Sequence, residues 1–233
     1  MLAGLGFDKR SFQNLTFPEG AEIHHLDWID PLHHFESVPG YAKRMLELQV
    51  LPEHRNKEII FIGHSFGGVL LQEIALLLEK PKIVLLISSI KSHAEKPVWM
   101  RLLYWFPVYW LHSKFFIKIT YLIWSPWYGF KTADSRKLFW EMVSRFSNKY
   151  HRWATRAISF WRPQKKSKNY AVMCIHGTKD LMFPFKNIVE PKEVIQGGNH
   201  FMVYHEAAEI SIIIEKYISG IKKWTEVFTK ILY

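Results

Sequence analysis

The sequence predicts an α/β protein with a mostly parallel sheet of about six strands and helices on both faces. Two observations carry this reading. Short apolar runs rich in β-branched residues alternate with longer amphipathic ones, the pattern of strands buried on both sides by helices. A block of different composition, residues 91–168, interrupts that alternation once. The predicted organisation is therefore one core domain, residues 1–90 and 169–233, with residues 91–168 as a helical cap insert.

Residues 59–62 and 83–88 are the clearest strands, and 170–175 and 193–195 follow, each running into a Gly-containing loop. Residues 21–26 and a short stretch at Met1 are the remaining strand candidates. Helices are expected over 41–51, with Ala42, Met45, Leu46 and Leu48 as its apolar stripe, and over 66–78. A last helix is expected over 205–221, with Ala208, Ile212 and Tyr217 turned inward. Residues 162–169, with Pro163 followed by Lys165, Lys166 and Lys168, read as the linker back to the sheet.

At 233 residues, 48% hydrophobic and 22% charged, the chain has the apolar content of a folded domain and not of a disordered one. Its single cysteine, Cys174, cannot form an internal disulfide, so a reducing, cytoplasmic setting is expected. Within its apolar run Cys174 reads as a small buried hydrophobe. Asp8, Lys9 and Arg10 soon after Met1 do not resemble a signal peptide. The aromatic runs 102–111 and 119–130 are too short to span a bilayer.

The net charge of +10 is concentrated in the insert, which holds 16 Lys or Arg against 3 Asp or Glu and eight of the ten tryptophans. Three compatible readings follow. The insert is a packed lid with a solvated basic face, its aromatics line an apolar pocket for a small-molecule acyl substrate, or it makes peripheral contact with an anionic membrane surface. No nucleic-acid motif accompanies the charge, and no nucleic acid is expected as partner.

Gly63, His64, Ser65, Phe66 and Gly67 spell G-x-S-x-G directly between a predicted strand and a predicted helix. A serine on so tight a turn has its hydroxyl pushed out at the strand's carboxyl end. That hydroxyl needs a base to take its proton and an acid to orient the base. Two later strand ends offer them: His176-Gly177-Thr178-Lys179-Asp180 and Gly197-Gly198-Asn199-His200. All three loops lie at the edge of a parallel sheet where ligand sites form.

In these three motifs, in this order, the chain resembles the α/β-hydrolase superfamily. The resemblance implies Ser65, Asp180 and His200 as a catalytic triad, with the backbone N–H groups of Leu5 and Phe66 as oxyanion donors. Glu95 is the alternative acid. The chain departs from the family at its start, where Ala3, Gly4, Leu5 and Gly6 arrive with almost no strand before them. His64, Met182 and Phe201, each close in sequence to a triad member, are the candidate pocket residues.

His205 is the rival to His200 and is expected to begin the last helix. His24, His25, His33 and His34 lack the acid or cysteine spacing of a metal site and are read as surface. The sequence His205-Glu206-Ala207-Ala208-Glu209 fails as a zinc motif at its last position. No metal and no organic cofactor is required. A serine at the elbow, where a dehalogenase needs a carboxylate, points to hydrolysis of a carboxylic ester or related acyl compound. A non-catalytic ligand receptor, an acyltransferase and a lyase are the alternatives that the same fold allows.

Overall fold

In the computed structural model, residues 1–50, 59–79, 82–102, 108–164, 170–190 and 193–231 are described. Trp105 and the lysines of the expected linker, Lys165, Lys166 and Lys168, lie outside them. Strands β1 (Ile60–His64), β2 (Lys82–Ile87), β3 (Tyr170–Gly177) and β4 (Glu193–Ile195) form a parallel sheet in the order β1-β2-β3-β4. Helix α1 (Val38–Gln49) precedes β1, and α2 (Phe66–Ala75) follows it directly. Between β2 and β3 come α3 (Val98–Leu102), α4 (Lys114–Trp124), α5 (Ala133–Ser144) and α6 (Asn148–Phe160). The short α7 (Met202–His205) and the long α8 (Ala207–Ile231) close the chain.

Alternation along the strands divides the apolar side chains between two clusters, one on each face of the sheet. Phe61, Val84, Leu86 and Cys174 pack with Tyr41 and Met45 of α1 and Leu70 and Ile74 of α2. Ile62, Leu85, Ile87 and Ile175 pack with Ile210 and Ile214 of α8. The near-continuous hydrophobicity of each strand is thereby used on both sides.

Among the described residues the ladder has four strands, not about six. The expected strands at Met1 and over 21–26 are not among those four. Leu2 makes a single parallel bridge to Gly63, donating to Ile62 O at 3.0 Å and accepting from His64 N at 3.1 Å. Residues 21–26 form no strand; Met1 N donates to His24 O and Leu26 N donates to Met1 O.

The last helix also differs from expectation. His205 ends α7 rather than beginning α8, and Ala207, Ile210, Ser211, Ile213 and Ile214 are buried in the first half of α8. With the start displaced, the inward stripe is rephased, so Ala208 is exposed and Ile212 is 69% exposed. Leu48 of α1, expected inward, is 67% exposed.

The inserted helices straddle both clusters. Phe130, Phe139 and Met142 join the α8 side, while Tyr150, Trp153 and Ala157 join the α1 side. Trp153 is fully buried, stacks on Tyr41 with ring centroids 4.0 Å apart and donates its indole N–H to Glu36 O at 2.9 Å. Removing about 200 Å² of indole from water contributes about 5 kcal/mol. Lys96, also fully buried, donates through Nζ to Ser159 O at 2.9 Å and to Trp161 O at 2.5 Å. The Trp161 indole N–H in turn donates to buried Glu73 of α2 at 2.7 Å. No helix among the described residues is long and apolar enough to cross a membrane.

The junction of β1 and α2 depends on the absence of side chains. A Cβ on Gly67 would lie 2.3 Å from Leu2 O, and one on Gly63 would lie 2.4 Å from Gly68 Cα. Both obstacles are backbone and cannot rotate away. Gly67→Ala is therefore expected to lower unfolding stability by about 2 kcal/mol or more, measured by urea denaturation. Gly220→Ala, inside α8 with nothing within 4 Å, is expected to raise it by up to about 1 kcal/mol. Equal effects of the two substitutions would contradict this account.

Candidate active site

Ser65 takes φ 52° and ψ −125° at the turn from β1 into α2, a conformation costing about 1–3 kcal/mol for a residue with a side chain. Hydrogen bonds hold it there. Ser65 N donates to Ile87 O at 3.0 Å, and Ser65 O accepts from Ser89 Oγ at 2.6 Å and from Gly68 N at 3.0 Å.

The loops after β3 and β4 bring two further side chains to this turn. They are tied to each other by Lys179 N donating to Gly198 O at 2.9 Å and Thr178 N donating to Ile195 O at 3.1 Å. His200 Nε2 lies 2.9 Å from Ser65 Oγ. Its Nδ1 lies 3.0 and 2.9 Å from the two Asp180 carboxylate oxygens. A carboxylate only accepts, so Nδ1 carries the proton and Nε2 is left as the acceptor facing the serine hydroxyl.

Asp180 is fixed from below, its Oδ1 accepting from Met182 N at 2.8 Å and Phe183 N at 2.9 Å. Burial works to raise its pKa. Electrostatic coupling and the hydrogen bond to His200, with coupling to His176 and the Phe183 amide, outweigh burial and hold the carboxyl below its ordinary value. The group is thus an anion in a site from which water is largely excluded. Glu95 is buried elsewhere, accepting from the amides of Lys91, Ser92 and Val189.

A cavity of about 340 Å³ opens above Ser65. Leu5, Phe66, Met182 and His200 line it from the core side, and Phe116, Thr120 and Tyr121 of α4 line it from the insert. Leu5 and Gly6 form the centre of a turn closed by Phe7 N donating to Gly4 O at 3.0 Å. That turn is pinned by the Trp28 indole donating to Gly4 O and by Gly6 N donating to Tyr150 Oη. A Cβ on Gly4 would come within 3.1 Å of Ser65 Cβ, so the Leu5 loop passes against Ser65 despite the missing strand before it. The Phe66 amide is the first of α2, where no intrahelical acceptor exists.

Two of the three expected pocket residues are displaced. Met182 lines the cavity, but His64 and Phe201 do not. His64 lies beneath the site, fully buried, and donates from Nε2 to His200 O at 2.8 Å. Phe201 points away from Ser65 into the core, with its ring centroid 4.4 Å from Phe130 and 5.0 Å from Phe7. In both cases the residue packs away from the cavity that its neighbour in sequence, Ser65 or His200, lines. The inner face of α4 and Tyr128, whose ring centroid is 5.4 Å from His200, were not singled out from sequence. The α4 residues carry a helical spacing that could have found them; Tyr128 carries no such signal.

No family model and no curated protein sequence matches the chain. Solved structures do. A thermophilic esterase aligns with TM-score 0.63 and 17% identity over 94% of this chain and 88% of that one. An esterase from Exiguobacterium antarcticum aligns with TM-score 0.61 and 12% identity over 94% and 91%. An N-acyl homoserine lactonase, complexed with N-hexanoyl homoserine, aligns with TM-score 0.63 and 15% identity over 94% and 87%. The chain has the α/β-hydrolase fold. Within that fold, the insert between β2 and β3 supplies the cavity wall opposite Ser65.

The site is surrounded by imidazoles that burial keeps neutral. Burial, with electrostatic coupling to His200, lowers the His64 pKa to about 3. Burial, with electrostatic coupling to His112, lowers that of His151 to about 4, and His151 Nε2 donates to Val143 O at 3.0 Å. An unfolded imidazole takes its proton near 6.5, so between about pH 6 and 4.5 unfolding takes up two protons at these residues. The folded state is therefore favoured at neutral pH and loses stability as pH falls. Two such protons correspond to about 2.7 kcal/mol per pH unit. Urea unfolding at a series of pH values in that window should show at least this slope, and His151→Leu should reduce it by about 1.4 kcal/mol per unit. An unchanged slope in the variant would show that His151 is protonated in the folded protein.

Proposed function

We propose that this protein is a serine hydrolase cleaving a carboxylic ester or related acyl compound through an acyl-enzyme on Ser65. One observation carries the reading: the hydrogen-bonded series Ser65, His200 and Asp180 stands at the floor of an apolar cavity. The names of similarly folded proteins, esterases and a lactonase among them, agree with acyl chemistry.

In the first step Ser65 Oγ attacks the acyl carbonyl while its proton passes to His200 Nε2. Asp180 stabilises the imidazolium without taking the proton. The negative charge that develops on the carbonyl oxygen is met by the N–H groups of Leu5 and Phe66. Collapse of this intermediate breaks the bond to the leaving group, which receives the proton from His200. Water then repeats the sequence with His200 as base, releasing the acid and restoring Ser65.

The cavity is at the lower end of the roughly 300–1,000 Å³ typical of ligand sites, which favours a short or medium apolar acyl group. A fluorophosphonate probe should label Ser65, and Ser65→Ala should abolish both labelling and hydrolysis of p-nitrophenyl esters. Equal labelling of the two proteins would end the assignment. Asp180→Asn should leave the circular dichroism spectrum unchanged and lower kcat by about 10³- to 10⁴-fold, because His200 then loses its tautomer.

His200→Ala should remove nearly all activity. His205→Ala should keep most of it, since His205 ends α7 and is not among the residues lining the cavity. The reverse outcome would transfer the base to the other histidine.

A further inference from the structure

Helix α4 has two apolar faces, and one of them is not accounted for by the fold. Phe116, Thr120 and Tyr121 line the cavity and Ile117 is buried. Phe115, Ile119, Leu122 and Ile123 are 73%, 59%, 58% and 63% exposed. Their spacing of four, seven and eight residues from Phe115 places them on one continuous stripe. Single exposed apolar side chains are ordinary, whereas four aligned on one helix face mark a contact surface. Trp99 and Leu111, which also line the cavity, are 44% and 59% exposed, so the apolar wall of the site runs out to the surface.

Along the chain, the charge flanking this stripe has one sign. No Asp or Glu occurs between Glu95 and Asp134, a stretch that contains Arg101, Lys114, Lys118 and Lys131. Lys118 is exposed and lies three residues after Phe115 and four before Leu122, on the rim of the stripe. The surface therefore matches an apolar layer edged by negative charge. Two copies of this chain meeting across a two-fold axis would bring like charges together.

We propose that the outer face of α4 docks on an anionic lipid bilayer, with its aliphatic and aromatic side chains at the acyl boundary and Lys118 and Lys114 on acidic headgroups. Docking of this kind combines apolar burial with electrostatic attraction. If the hydrolase reading holds, the same helix that contacts lipid walls the catalytic cavity, so an acyl substrate would enter from the bilayer. The docking itself does not depend on that reading.

Flotation with liposomes tests the proposal. The protein is expected to co-float with phosphatidylcholine vesicles containing about 30% phosphatidylserine at low salt, and to detach substantially as salt screens the headgroups. Phe115→Ser/Ile119→Ser/Ile123→Ser and, separately, Lys118→Glu should each reduce flotation, the former by about tenfold or more. Both should retain p-nitrophenyl butyrate hydrolysis in solution. Ser65→Ala should float as the wild type does while hydrolysing nothing, which separates docking from catalysis. Absence of flotation at low salt, equal binding to vesicles lacking phosphatidylserine, or undiminished flotation of the triple variant would overturn the proposal. A dimer in sedimentation velocity that disappears in the triple variant, without flotation of the wild type, would assign the face to a second copy instead.

Discussion

One backbone conformation organises the site: Ser65 in the left-handed region between β1 and α2. The strain of that turn is held by hydrogen bonds from neighbouring strand ends and by glycines that let Leu2, Ala3 and Gly68 approach within distances no side chain permits. The same close crossing that raises the serine hydroxyl toward the cavity brings the Leu5 loop alongside it. Sheet register then determines the rest, because the loops after β3 and β4 leave the sheet at the same edge and are bonded to each other. Backbone geometry thus brings His200 and Asp180 to Ser65.

The polar groups beneath the cavity form a supporting layer. His64 donates to the carbonyl of His200, His176 Nε2 donates to Phe183 O at 2.8 Å, and Asp180 accepts two backbone amides. Each bond holds a loop rather than a side chain alone. A buried imidazole that stays neutral can do this without placing a positive charge beside His200. His64 therefore positions the site although it never faces the cavity.

Much of this was legible in the sequence because it is local. The G-x-S-x-G turn, the strands bounded by glycine loops and the order of Ser65, Asp180 and His200 are fixed by a few consecutive residues each. What failed was the part decided by distant contacts. Among the described residues Leu2 makes one bridge to β1, and residues 21–26 form no strand. Ile212 and Leu48 have the hydrophobicity of core residues but face solvent, since a helix's phase depends on where it starts and what it packs against. His64 and Phe201 were misplaced for a simpler reason: each packs away from the cavity that its neighbour in sequence lines. Cavity walls drawn from α4 and Tyr128 come from a segment far from the motif in sequence, and only tertiary packing brings them there.

Lys96 stands where the chain leaves the core after β2, and Ser159 and Trp161 stand where it prepares to return. A buried ammonium is costly unless it is fully engaged, and here two carbonyls and the Trp161 ring, 5.8 Å away, surround it. Residues 63 positions apart are consequently clasped at one point. A segment whose ends already meet can lengthen, shorten or change composition at small entropic cost, since doubling a closed loop adds only about 0.6 kcal/mol. The clasp makes the cavity wall an exchangeable module, free to change in length and composition while the sheet, the strained serine and its partners stay untouched.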